Sequence, residues 1–256
     1  MRINEDLTKP VIAHAAKLDW VPSPAAGVDR RMLYRVGGEV ARATSIVRYA
    51  PASAFPRHVH SGGEEILVLQ GTFQDEHGDY PAGSYFRNPP GTSHVPAPEE
   101  GCMIFVRLWQ FRQGDSMQIV RQPGEGQAAP LRAGARAARV LFEDIAERVS
   151  IETWQSGSAI AIENRRGLEF LVLSGSLILQ GETLEPQCWG RLPAGRSFEV
   201  ATGPEGAEIW IKDAPLQHAD VLPMPSSAKW GSPRRRSATR TMSRNRKKLR
   251  QETSGF

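Results

Sequence analysis

The sequence predicts an all-β fold made of two tandem copies of one antiparallel unit. Three observations predict it. From residue 32 to about 215 the chain is a succession of short apolar runs of strand length, broken by Gly, Pro, Asp and Asn. Long helical periodicity is scarce. The chain also repeats itself. At a shift of 104, "GEEILVLQG" (63–71) falls on "GLEFLVLSG" (167–175), and Arg87, Pro89 and Gly91 fall on Arg191, Pro193 and Gly195 with no gap.

Taken in order, residues 1–20 read as an N-terminal extension. They are charged early and lack a sustained apolar run, so they are no signal peptide. Residues 21–111 form the first unit, with "EEILVLQGTF" and "CMIFVRLWQF" as strands around the turn "EHGD". The polar, Gly/Ala/Pro-rich stretch 112–136 reads as a linker. Residues 137–220 form the second unit, with strands in "SAIAIENR", "EFLVLSGSLIL" and "AEIWIKD". "GARAARVLFEDIAERV" is the one helix candidate, and its pattern fits a strand as well. Residues 221–256 read as a basic, disordered tail.

The charge divides unevenly. The net charge is +4, yet residues 226–256 alone carry ten Lys and Arg against one acid. The rest holds 22 against 27, so the body is mildly acidic and the high pI belongs to the tail. Such a tail is a solvated extension or a nucleic-acid contact, with only Trp230 available for stacking. Two distant cysteines, Cys102 and Cys188, make neither a disulfide framework nor a thiolate zinc cluster. With no apolar segment long enough to span a bilayer, the expected location is the cytoplasm.

The repeat supplies an internal control. Residues shared by both copies read as scaffold, and residues found in one copy read as candidates for chemistry. His58, His60, Glu64 and His94 of the first copy face Ile162, Asn164, Leu168 and Phe198 in the second. On a strand, His58 and His60 share a face. Ser61-Gly62-Gly63 can turn the chain so that Glu64 returns to them, and His94 must arrive on another strand. Three imidazoles and a carboxylate suit one divalent ion such as Zn, Fe, Mn or Ni. Glu65 is the fallback carboxylate, although its repeat mate is Glu169. Tyr85 and Arg87 face Trp189 and Arg191 and read as scaffold. Arg107 is a strand-edge arginine or an anion clamp. His14, His77 and His218 have no companions at ligand spacing.

The full pattern, H-x-H-x3-E-x6-G over 58–71 followed by G-x5-P-x-G-x2-H over 83–94, resembles the two signature motifs of the cupin superfamily. Pro98 stands where the family usually has Asn, a position that is not a ligand. "WVPSPAAGVDRRMLYR", "SIVRYAPASAFPRHVHSGGEEILVLQG", "DEHGDYPAGSYFRNPPGTSHVP" and "EEGCMIFVRLWQF" are similar to the cupin domain of ChrR-type anti-sigma factors over roughly residues 20–111. The resemblance implies two jelly-roll barrels, the first holding one metal on His58, His60, Glu64 and His94. It implies either a mononuclear-metal enzyme of dioxygenase type acting on a small oxygenated compound, or a ChrR-like sensor. The family's separate sigma-gripping zinc domain, with its Cys and His ligands, has no counterpart in the twenty residues before the first unit. The expected partners are a small-molecule ligand or substrate, a second copy of the chain as a homodimer and, through the tail, nucleic acid.

Overall fold

The computed structural model describes residues 1–53 and 55–225. In chain order the strands are β1 (Arg2–Ile3), β2 (Val11–His14), β3 (Val21–Pro22), β4 (Val28–Gly37), β5 (Ala41–Tyr49), β6 (His58–Val59) and β7 (Glu64–Asp75). They continue as β8 (Gly78–Pro81), β9 (Tyr85–Asn88), β10 (Ser93–His94), β11 (Cys102–Leu108), β12 (Ile119–Arg121) and β13 (Gln127–Ala128). The second unit adds β14 (Ala135–Glu143), β15 (Arg148–Trp154), β16 (Ala159–Ile162), β17 (Leu168–Leu179), β18 (Glu182–Leu184), β19 (Cys188–Leu192) and β20 (Phe198–Asp213). Among the described residues the only helical turn is a 3₁₀ turn at Ala15–Lys17.

Eighteen of the twenty strands form two nine-stranded antiparallel sheets of matching order, and β6 and β10 pair as a separate ribbon. The first runs β1-β4-β5-β11-β7-β9-β12 and the second β13-β14-β15-β20-β17-β19-β2. Each closes into a barrel with its own apolar interior. Val47, Ile66, Val68, Phe73, Phe86 and Ile104 fill the first. Trp154, Leu168, Phe170, Val172, Phe198 and Ile209 fill the second. A third core, holding Leu67, Phe105, Leu171, Trp189 and Trp210, lies between the barrels. This is why "EILVL" and "EFLVL" are continuous apolar runs rather than alternations. Ile66 and Val68 face one core while Leu67 faces another, so both sides of the strand are buried.

The barrel–barrel layer also carries charge. Glu65 accepts hydrogen bonds from the Tyr85 hydroxyl (2.7 Å), Arg107 (2.6 Å) and, from the other barrel, Lys212 (3.0 Å). Reciprocally, Arg107 Nε lies 3.1 Å from Glu169, which accepts a bond from Trp189 Nε1 (2.8 Å). Glu147 accepts from Arg87 (3.0 Å) and pairs with Lys212 and His218, each at 3.0 Å. Every one of these charges is paired, which is what lets them stay buried. Tyr85 and Arg87 are therefore scaffold. Glu65 serves the interface, and Arg107 is neither a strand-edge residue nor an anion clamp. His218 has a partner that no local spacing revealed. Elsewhere His14 pairs with Glu182 at 2.7 Å.

Three boundaries differ from the sequence reading. Residues 1–20 are not an extension: β1 pairs with β4, and β2 pairs with β19 of the second barrel. Residues 112–136 are more than a linker, because β12 pairs with β9 of the first barrel and β13 with β14 of the second. Each barrel thus borrows an edge strand from the segment preceding the other, which covers an edge that would otherwise be open. Residues 221–224 join the first barrel. Val221 bridges Arg112, and Leu222 N–H donates to Phe111 O at 3.0 Å. The expectations for 226–256, disorder and nucleic-acid contact included, lie outside the described residues.

The helix candidate is a β-hairpin, β14 and β15. Val140, Leu141 and Phe142 are buried in succession, and Leu141 and Phe142 both reach the layer between the barrels because a bulge lies between Val140 and Phe142. Asp144 Oδ1 accepts from the N–H groups of Ala146 (2.8 Å) and Glu147 (2.9 Å), an Asx turn that leaves Ile145 94% exposed. Leu141 and Ile145, four apart, imitate a helical stripe. The two cysteines are buried free thiols, each pushed up to about 12 by burial.

Candidate metal centre

His58 sits on β6, which pairs antiparallel with β10, and its direct cross-strand partner is His94. His60 follows β6 immediately. The chain then reverses through Ser61-Gly62-Gly63, where Gly63 N–H donates to His60 O at 3.1 Å. Gly63 has φ +72°. A Cβ on Gly62 would lie 2.0 Å from the Trp109 ring, and one on Gly63 would lie 2.5 Å from the Phe111 ring. Only glycine permits this turn, and the turn delivers Glu64 to the first position of β7.

The four side chains meet. One ligand atom from each of His58, His60, Glu64 and His94 lies within 4.8 Å of all the others. His60 Nε2 is 3.3 Å from His58 Nε2 and 3.2 Å from Glu64 Oε1, and His94 Nε2 is 3.3 Å from the same oxygen. His60, Glu64 and His94 are buried, while His58 is half-buried and forms the open side. Phe55 stands edge-on to His58, and Phe73 lies beside His94. The sequence-predicted set is brought together as a whole. His77 stays out on an exposed turn.

The other nitrogen of each ring is anchored. His94 Nδ1 lies 3.0 Å from Asp75 Oδ2, His60 Nδ1 3.0 Å from Thr92 Oγ1, and His58 Nδ1 3.1 Å from Pro56 O. The Thr92 hydroxyl donates to Pro89 O at 2.8 Å, so it offers His60 a lone pair. All three Nδ1 atoms therefore carry the proton, and all three Nε2 lone pairs point inward. Asn88 Nδ2 donates to Glu64 at 3.1 Å and orients the carboxylate. Anchoring of this kind is what metal-ligating histidines show.

The electrostatics agree. Burial brings the His60 pKa down to about 4 despite the attraction of Glu64, and burial lowers that of His58. Burial acts the same way on His94, but the Asp75 hydrogen bond and the Glu64 charge outweigh it and raise the net value. Asp75 is lowered in turn, the His94 bond overcoming its burial. A cluster of inward lone pairs with its central histidine kept neutral fits a divalent cation. The N/O donor set with no thiolate suits Zn, Fe, Mn or Ni and chooses none of them.

Asp75, Asn88 and Thr92 were not picked out from the sequence. The repeat contained the signal: at the same shift of 104 they face Leu179, Leu192 and Arg196.

Residues 8–112 match the family described as a ChrR cupin-like domain. The first barrel is a cupin-like domain. No curated protein matches the chain by sequence. Solved structures share the cupin fold across both barrels. A candidate dioxygenase from Nostoc punctiforme has 15% identity and a TM-score of 0.63, covering 85% of this chain and 87% of that one. A bacterial pirin from Escherichia coli, crystallised with nickel(II), has 12% identity and a TM-score of 0.61, covering 81% and 99%. Oxalate decarboxylase from Bacillus subtilis has 14% identity and a TM-score of 0.52, covering 82% and 78%. No helix among the described residues is long and apolar enough to cross a membrane.

Proposed function

We propose that this cupin-fold protein is a mononuclear-metal enzyme of dioxygenase type that acts on a small oxygenated organic substrate. The observation that supports this is the convergence of three Nε2 lone pairs and Glu64 Oε1, each fixed from behind. A bound divalent ion would supply Lewis acidity there and, with iron or manganese, access to redox chemistry. The chain does the rest. Asp75, Thr92 and the Pro56 carbonyl hold the rings in one tautomer and orientation. Asn88 keeps the Glu64 carboxylate from rotating. Phe55 and Phe73 line the centre with apolar surface. Half-buried His58 marks the approach. The similar pirin was crystallised with nickel(II), which supports a metal centre in this fold.

The family match over residues 8–112 favours a second reading, a ChrR-like sensor whose metal reports a ligand or oxidant to a partner. Metal analysis of protein purified without added metal separates the two, followed by oxygen-uptake assays on a panel of small hydroxy and keto acids. Near-stoichiometric iron or manganese with substrate-dependent oxygen consumption is the expected result. Zinc alone, with no turnover and a co-purifying protein, would replace the enzyme with the sensor.

A further inference from the structure

A cleft of about 280 Å³ opens between the barrels, away from the four ligands. Its walls come from both copies of the repeat: Leu67, Leu69 and Met103 from the first, Ile151, Leu171 and Leu173 from the second. Arg139 and, beside it, the Glu208 carboxylate also line it. The Nε of Arg139 is buried without a hydrogen-bond partner, and its NH2 stands 3.9 Å from Glu208, beyond hydrogen-bonding reach. Arg87, Arg107 and Arg191 also leave Nε unbonded, but each donates through its terminal nitrogens; Arg139 is the exception in making no side-chain hydrogen bond. A buried guanidinium N–H left unmade is costly, and an anion entering the cleft would satisfy it.

We propose that this cleft is a binding site for a small amphipathic carboxylic acid. The carboxylate sits on Arg139, and the apolar body lies across Leu69, Met103 and Leu173, wall residues that are only partly buried. At roughly 30 Å³ per water-sized group, the space takes about nine non-hydrogen atoms. The site is independent of the metal reading, although it shares a strand with the centre. Leu67 and Leu69 project outward from β7, which begins at Glu64.

Calorimetric titration of the full chain with hexanoate, 1-hexanol and hexylamine tests this. Hexanoate should bind about tenfold tighter than hexanol, the worth of one charge-assisted hydrogen bond, and hexylamine should bind weakest. Arg139→Met should bring hexanoate down to the level of hexanol. Leu173→Trp, which fills the cleft, should abolish binding of both while the melting temperature and metal content stay near wild type. His60→Ala, which strips the metal centre, should leave hexanoate binding unchanged. Loss of hexanoate binding in His60→Ala would place the carboxylate on the metal instead and overturn the proposal. Equal binding of all three probes, or binding indifferent to Arg139→Met, would overturn it as well.

Discussion

The two barrels differ most where they are most nearly superimposable. His58 pairs with His94 across β6 and β10, and Ile162 pairs with Phe198 across β16 and β20 in the same register. Glu64 lies opposite Asn88, and Leu168 lies opposite Leu192. His60 is replaced by Asn164, whose amide donates to the carbonyls of Leu192, Pro193 and Arg196 and whose oxygen accepts from Gly167 N–H. Asp75 is replaced by Leu179. The ligands and their anchors have changed together. In the second barrel Phe198 packs 4.7 Å from Phe170 and closes the space with hydrocarbon. The barrel therefore needs no ion to fold, and the polar set of the first barrel is there to hold one.

The strongest break in this comparison is His60→Ala. It should remove the metal entirely, from about one ion per chain to none, while circular dichroism and a cooperative melt stay β-rich. An unfolded His60→Ala chain at room temperature would make the ion structural, as in zinc fingers, where it contributes ~10–16 kcal/mol. Wild-type protein with two tightly bound ions would show that the second barrel has been misread. Next comes Phe198→Ala, which empties the space that the ion occupies in the other copy. It should cost about 3–5 kcal/mol in denaturant unfolding and leave the metal content unchanged. A shift below 1 kcal/mol would mean that the second barrel collapses around the gap.

Asp75→Asn sharpens the comparison at the level of anchors. It should weaken metal binding by about 10–100-fold in a chelator competition, with less effect on folding than Phe198→Ala. Unaltered affinity would reduce Asp75 to packing. The smallest effect near neutral pH lies in the layer that both barrels share. Burial raises the Glu65 pKa, but Lys212 and Arg107 outweigh it and hold the carboxyl down at about 2, against an ordinary 4.5. The native state thus binds this proton less readily than the unfolded chain. The resulting stability is fully present above pH 4.5 and is lost as pH falls towards 2. Melting temperature should be flat in pH around neutrality as far as this group is concerned and fall below 4.5. In Glu65→Gln the acid slope should shrink. A slope identical to wild type would remove Glu65 as its source.

The repeat and the cupin-like spacing made the centre legible before any coordinates, because identity of ligand type is local information. The glycine pair 62–63 was legible too, since its turn depends on backbone freedom. What stayed hidden depends on distance in sequence. Lys212 reaches Glu65 across 147 positions, and His218 reaches Glu147 across 71. Their spacing carries no periodicity that a local reading could detect. The hairpin of β14 and β15 was ambiguous because a bulge lies between Val140 and Phe142, so three successive apolar residues are buried and the pattern does not alternate. Asp75, Asn88 and Thr92 are a different case. Their signal was in the repeat, and it needed the comparison that found the ligands to be carried on to the residues behind them.

The exchange of edge strands has a consequence for synthesis. Val11 on β2 pairs with Arg191 on β19, 180 positions later. At 5–20 residues per second, a ribosome takes on the order of 10–40 s to make that partner. Throughout this interval β2 is exposed outside the ribosome with its own slot not yet built, while the first barrel already holds its residues for the metal centre. The nascent chain can therefore complete its chemistry-bearing half first and must keep its earliest strand waiting. The pairing of β2 with β19 must wait for the second barrel, which makes that step slow and leaves β2 free to pair wrongly until it is over.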